Sequence, residues 1–181
     1  MLYFITENQD KLENASHVLD VYGIPFEGKN IPILEIQSDS QKEIVLHKAQ
    51  QAFEKIRQPL VVKDDGWYIT ALRGFPGVYM KYVNQWFTAD DFLNLLKPYS
   101  NREILFRESV CYIDKNQYKI FINDVKAEIL QAPRGNGKPS MTIVSFRKDH
   151  KTMAECSNEG IEFMEGDTSV WHAFAKWYKE S

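Results

Sequence analysis

The chain has 181 residues, 44% apolar and 26% charged, the balance of an ordinary water-soluble globular protein of one domain spanning residues 1–181. Its 22 lysines and arginines against 25 aspartates and glutamates leave a formal charge of −3, which argues against a broad basic field for a nucleic-acid polymer or an acidic membrane surface. Cys111 and Cys156 match no zinc or redox spacing and point to a reducing, cytoplasmic setting; the apolar run Leu2 to Ile5 is too short for a secretion signal or a membrane span.

Leu2 to Ile5 reads as a short buried strand. From Asn8 to Tyr22, Leu12, Ala15, Leu19 and Tyr22 fall on one face of a helix, which Gly23 and Pro25 end. Ile31 to Ile36 reads as a second strand. Ser40 and Glu43 have capping-box spacing at the head of a second helix, whose apolar stripe is Ile44, Val45, Ala49, Ala52, Phe53 and Ile56. Leu60 to Val62 is a third strand, so the first third alternates strand and helix and favours an α/β sheet with helices on its faces.

The remainder reads differently. Gly66 to Leu72 is a candidate strand, and Arg73-Gly74-Phe75-Pro76-Gly77 is a turn-rich loop. Thr88 to Asp91 opens a helix that ends near Lys97-Pro98. Glu103 to Ile113 and Gln117 to Ile129 form a hairpin around Asp114-Lys115-Asn116. The loop Ala132 to Pro139 precedes a strand at Met141 to Phe146, and an aromatic-rich helix covers Ser169 to Tyr178.

Three places carry residues suited to chemistry. Thr6-Glu7-Asn8-Gln9-Asp10-Lys11 lies where a strand enters a helix, so free N–H groups, a hydroxyl, an amide and a lysine suit phosphate oxygens. Thr6 and Asn8 serve equally well as plain helix caps. Lys63-Asp64-Asp65-Gly66 ends an apolar strand, where ligands of open α/β sheets bind. Adjacent carboxylates point opposite ways in an extended chain, so one can take Mg²⁺ while the other shapes a turn, and Glu35 can add a second carboxylate. A metal-free turn is the alternative. Arg134 and Lys138, among glycines, can attract an anion, although a surface turn explains them too and the P-loop spacing is absent. His17, His47, His150 and His172 have no metal-ligand spacing, and no Gly-X-Ser-X-Gly elbow occurs. Phosphate with a divalent metal is the leading chemistry.

These residues resemble the inosine triphosphate pyrophosphatase family. Thr6-X-Asn8-X-X-Lys11 is similar to its phosphate-binding opening. Glu35, Glu43 and Lys48 stand where it carries a metal-binding Glu and a helical Glu and Lys. Leu60 to Tyr82 is similar to its acidic pair followed by Ala-Leu-X-Gly-X-Pro-Gly. Ala132-Pro133-Arg134-Gly135 and Thr152-Met153-Ala154-Glu155 also fit, so the resemblance spans nearly the whole chain. It implies a mixed α/β fold of two lobes around a central cleft, a Mg²⁺ ion and a homodimer. The implied reaction hydrolyses a nucleoside triphosphate to the monophosphate and pyrophosphate. Position by position, it implies Asp64 as general base or metal-linked carboxylate, assisted by Lys11. Glu35 and Asp64 would serve the metal, Lys11 and Lys48 the phosphates, and Thr6 and Asn8 their cradle, with Asp65 a further metal candidate as a replacement for the charge missing at Lys63.

The chain also departs from the family pattern. Lys63 replaces the first carboxylate of the acidic pair, and Asp65 stands where a small Ser or Thr is expected. Gly135-Asn136-Gly137-Lys138-Pro139-Ser140 lacks the aromatic and Asp of the base-reading segment, and Thr168 to Ala173 lacks the closing Ser-His-Arg. Trp171 or Phe146 offers a stacking surface for a base, with core packing the commoner role. The reading is thus a pyrophosphatase of altered base preference; the alternative is a degenerate member that binds a nucleotide or a partner without catalysis.

Overall fold

The apolar run Leu2–Ile5 is strand β1 of the computed structural model, which describes residues 1–164 and 168–181. After it come α1 (Gln9–Val21), β2 (Phe26–Lys29), α2 (Gln41–Ile56), β3 (Leu60–Ile69), β4 (Pro76–Gly77), α3 (Met80–Trp86) and α4 (Ala89–Leu96). Then follow β5 (Glu103–Ile113), β6 (Tyr118–Ile129), β7 (Val144–Ser145), α5 (Met153–Glu159) and α6 (Val170–Glu180). The strands form one mixed sheet in the order β2-β1-β3-β5-β6-β7, with β4 paired to β3. β1 lies parallel to both β2 and β3, as the strand–helix–strand order requires. β4 and β7 run antiparallel to their neighbours. Among the described residues, no helix is long and apolar enough to cross a membrane.

The chain divides into two compact units. The first comprises Met1–Asp65, Glu108–Asn123 and Ser169–Ser181; the second comprises Gly66–Arg107 and Asp124–Thr168. In the first unit, β1, the start of β3 (Leu60 to Val62) and the end of β5 (Val110 to Ile113) are apolar without interruption because both faces are covered. Side chains alternate along them. Leu2, Phe4, Val61, Val110 and Tyr112 join α1 and the aromatic face of α6 on one side. Ile5, Leu60, Val62, Cys111 and Ile113 join Val45, Ala49 and Ala52 of α2 on the other.

The helix ends follow the predicted chemistry. Asn8 Oδ1 accepts from Lys11 N at 3.2 Å, and Gly23, at φ +64°, allows Ile24 N to donate back to Leu19 O at 3.0 Å. Ser40 caps α2, but the expected box is half made. Glu43 turns away to accept from Ser38 Oγ at 2.7 Å. The Asp114 turn joins β5 and β6 through bonds from Asn116 N and Gln117 N to its Oδ1.

Three expectations are corrected here. Ile31 to Ile36 is not a strand: β2 lies earlier, at Phe26–Lys29. Pro32 has no N–H to give a ladder, and α2 side chains satisfy the segment instead. Gln51 accepts from Leu34 N at 3.1 Å and donates to Leu34 O at 2.6 Å, and Lys55 donates to Pro32 O. Leu60 to Val62 and Gly66 to Leu72 are not two strands, since β3 runs unbroken to Ile69 before a 3₁₀ turn at Thr70–Leu72. Trp171 offers no face to a base. Its ring is fully buried in the first unit, 5.0 Å from that of Phe4 and 5.8 Å from that of Phe174.

In the second unit, Ile69, Met80, Val83, Phe92, Leu96, Ile104, Ile129 and Ile143 form the core. Thr88 and Asp91 make the predicted box at α4, and Thr152 and Glu155 make another at α5. The expected strand Met141 to Phe146 shrinks to Val144–Ser145, because Pro139–Thr142 is a 3₁₀ turn. Gly135 has φ +77°, and a Cβ there would stand 2.7 Å from Glu155 N, so this turn admits only glycine.

Candidate active site

Two parallel strands bring the site together. Because β1 pairs with β3, the start of α1 lies beside the residues that follow Val62. Lys11 Nζ stands 3.1 Å from Asp65 Oδ2 and 3.4 Å from Lys63 O. Thr6 and Asn8 order this junction: Thr6 Oγ1 accepts from Asn8 N at 3.1 Å, and Asn8 caps α1. The cap read from sequence is made by Asn8, at a helix N-terminus, a place where free N–H groups and the helix dipole favour an anion.

Strand alternation then sorts the charges. Lys63 and Asp65 point to the α1 and α6 side, with Lys63 Nζ 2.5 Å from Asp65 Oδ1 and 3.0 Å from Glu108 Oε1. The other oxygen of Glu108 accepts from Val170 N at 3.1 Å, at the start of α6. Asp64 points to the α2 side, where Lys48 Nζ meets its Oδ1 at 2.8 Å. Lys48 also pairs with Glu35, carried on the segment that Gln51 pins one turn further along α2.

Asp65 is thereby removed from the metal set expected from sequence. It faces away from Asp64, and each of its oxygens is engaged by an ammonium. Burial opposes its ionisation, but the charges of Lys63 and Lys11 outweigh burial and hold its carboxyl down at about 2. Burial likewise works against the charge on Lys48, and Asp64 and Glu35 reverse that effect and raise it. Lys63 follows the same pattern, raised by Asp65 and Glu108 against its burial.

The Asp64 backbone is fixed from behind. Its carbonyl accepts from Gln41 Nε2 and from Ser109 Oγ, both at 3.0 Å, and Gln41 Nε2 also lies 3.1 Å from Ser109 Oγ. Sequence reasoning missed Gln41, Ser109 and Glu108. Glu108 left one signal, a lone carboxylate just ahead of the apolar run Val110 to Ile113.

Glu35 and Asp64, converging on one ammonium, are hard oxygen donors of the kind that hold Mg²⁺ when phosphate oxygens complete its shell. Among the described residues no three Asp, Glu, His or Cys side chains gather into a metal cluster. Arg134 and Lys138 belong to the second unit. Arg134 is engaged locally, its Nε 3.4 Å from Glu155 and its guanidinium donating to His150 O, while Lys138 is exposed before the 3₁₀ turn.

Comparison with known proteins gives the family and the fold. The model of the Ham1 family matches residues 2–162. A dITP/XTP pyrophosphatase of Methanopyrus kandleri is 33% identical over 180 residues, covering 98% of this chain and 96% of that protein. Another from Thermococcus kodakarensis is 29% identical over 181 residues, covering 99% and 98%. A HAM1 protein from Coxiella burnetii has the same fold, with a TM-score of 0.80 over the whole of both chains at 20% identity. The Ham1 protein of Staphylococcus aureus gives 0.77 over 99% of each, also at 20%. Matched by the family model over residues 2–162 and by a relative 33% identical along nearly all of both chains, this chain belongs to the Ham1 family.

Proposed function

We propose that this protein hydrolyses a nucleoside triphosphate to the monophosphate and pyrophosphate, with Mg²⁺ and with a base preference different from that of the inosine triphosphate pyrophosphatases. The observation that carries this reading is the pairing of Lys48 with both Glu35 and Asp64 at the end of the apolar run of β3, next in sequence to Asp65, which Lys11 of α1 engages from the other side. The relatives named dITP/XTP pyrophosphatases support the same reaction.

In this reading Lys11 and Lys48 exchange their carboxylate partners for phosphate oxygens, while Thr6, Asn8 and the first N–H groups of α1 cradle the chain end. Asp64, its side chain 15% exposed, orients a water molecule and takes its proton as the water oxygen bonds to the α-phosphorus. The bond from that phosphorus to the bridging oxygen breaks, and pyrophosphate leaves. Glu35 and Asp64 are the residues that would hold Mg²⁺, which supplies charge neutralisation on the phosphates when bound. The family reading also makes the protein a cytoplasmic homodimer, with neither a nucleic-acid polymer nor a membrane as partner.

Pyrophosphate release from ITP, dITP, XTP, dUTP and the standard triphosphates in Mg²⁺ tests this proposal. Turnover of at least one is expected. A correctly folded protein that turns over none is the degenerate member, and the proposal fails.

A further inference from the structure

Lys63 is a charged side chain that the proposed hydrolysis does not use. It sits in an interior strand with its side chain 5% exposed, where an ammonium is costly unless carboxylates face it. Two do, from neighbouring strands: Asp65 Oδ1 at 2.5 Å on β3 and Glu108 Oε1 at 3.0 Å on β5. Their second oxygens are also engaged, by Lys11 at 3.1 Å and by Val170 N at 3.1 Å. Two carboxylates that converge on one point from two strands make the kind of oxygen set that divalent ions favour. Here that point is already filled by a positive charge tethered to the backbone.

We infer that Lys63 acts as a built-in cation: its ammonium fills the point where Asp65 and Glu108 converge, so the protein takes up a divalent ion only together with a triphosphate, through Glu35 and Asp64. This rests on the triphosphate reading above for the site of uptake. Charge supports it. On the α2 side Lys48 faces Glu35 and Asp64, a net of −1, and on the α1 side Lys11 and Lys63 face Asp65 and Glu108, a net of zero. So small a charge is a poor trap for a strongly hydrated Mg²⁺, whereas phosphate oxygens on the Lys48 side would supply the missing ligands. Lys63 is a positioning residue in this scheme, and it also holds the strand from which Asp64 projects.

Two measurements test the inference. In equilibrium dialysis with Mn²⁺ alone, the wild-type protein should retain no ion below roughly 1 mM, the weak end of protein sites for divalent ions. With a nonhydrolysable triphosphate, it should retain one per chain. In thermal melts, Lys63→Ala frees Asp65 and Glu108 to hold a metal, so saturating Mg²⁺ should raise its Tm by ~5–10 °C while leaving the nucleotide-free wild type unmoved. Wild-type protein that binds Mn²⁺ tightly without nucleotide overturns the inference. So does a Lys63→Ala chain equally destabilised, or equally unfolded, with and without Mg²⁺, because a purely structural lysine behaves that way. Both readouts stand apart from turnover: failure of every triphosphate to react would remove the proposed function and leave the Lys63→Ala result to decide this one.

Discussion

Lys48 Nζ lies 2.8 Å from Asp64 Oδ1 and is shared with Glu35, so a single ammonium holds the two carboxylates of the proposed site at one place. Removing the Asp64 charge while keeping its shape separates binding from chemistry. Asp64→Asn should lower kcat by about 10²–10⁴-fold, the scale for loss of a general base, with KM changed far less. Steady-state kinetics on the best triphosphate checks this; unchanged kcat would move the proton transfer elsewhere.

Gln41 and Ser109 act on the same residue through its backbone. Gln41 is 4% exposed, and its amide donates to Asp64 O at 3.0 Å, as does Ser109 Oγ. Gln41→Leu keeps most of the volume and removes that donor, so it should cost about 1–3 kcal/mol of stability and lower kcat more than it raises KM. Because both donors meet one acceptor, Gln41→Leu and Ser109→Ala should be non-additive by more than ~0.5 kcal/mol in urea melts. Strict additivity would mean that they do not work as a unit.

Asp65 predicts the acid limb of stability. Its folded carboxyl titrates at about 2 against an ordinary 3.8, because Lys63 and Lys11 outweigh its burial. A depressed carboxyl stabilises the fold above its unfolded pKa, and that contribution is lost as pH falls from about 4 to about 2. The size is roughly 2 kcal/mol. Urea melts at pH 5 and pH 2.5 should show the wild type losing more stability than Asp65→Asn, by an amount of that order; equal losses would show that the two lysines do not hold this charge.

What the sequence disclosed was local. The strand at Leu2–Ile5, the caps at Asn8, Ser40 and Thr88, and the opposite facing of Asp64 and Asp65 follow from spacing over a few residues. The failures involve partners far apart in the chain. Gln41 meets Ser109 across 68 positions and Val170 meets Glu108 across 62, and no periodicity announces either. Ile31 to Ile36 has a strand's composition, but its hydrogen bonds go to Gln51 and Lys55, side chains that a pattern of apolar residues does not weigh. The short helices α3 and α5 escaped because seven residues carry too little period to register.

Trp171 shows how a chemically attractive residue is claimed by the core. Its indole is fully buried against Phe4 and Phe174, and among the described residues its Nε1 is a buried donor without a hydrogen-bond partner. Two substitutions therefore diverge. Trp171→Ala opens a large void and should cost about 3–5 kcal/mol. Trp171→Phe keeps an aromatic ring among aromatic neighbours and removes the unpaired donor, so the lost area is partly offset and the cost should stay below ~2 kcal/mol. Triphosphate KM should be unchanged in Trp171→Phe if the ring only packs. A KM raised more than about 10-fold, at unaltered stability, would return Trp171 to the nucleotide site, since that factor matches the loss of one base–aromatic stack.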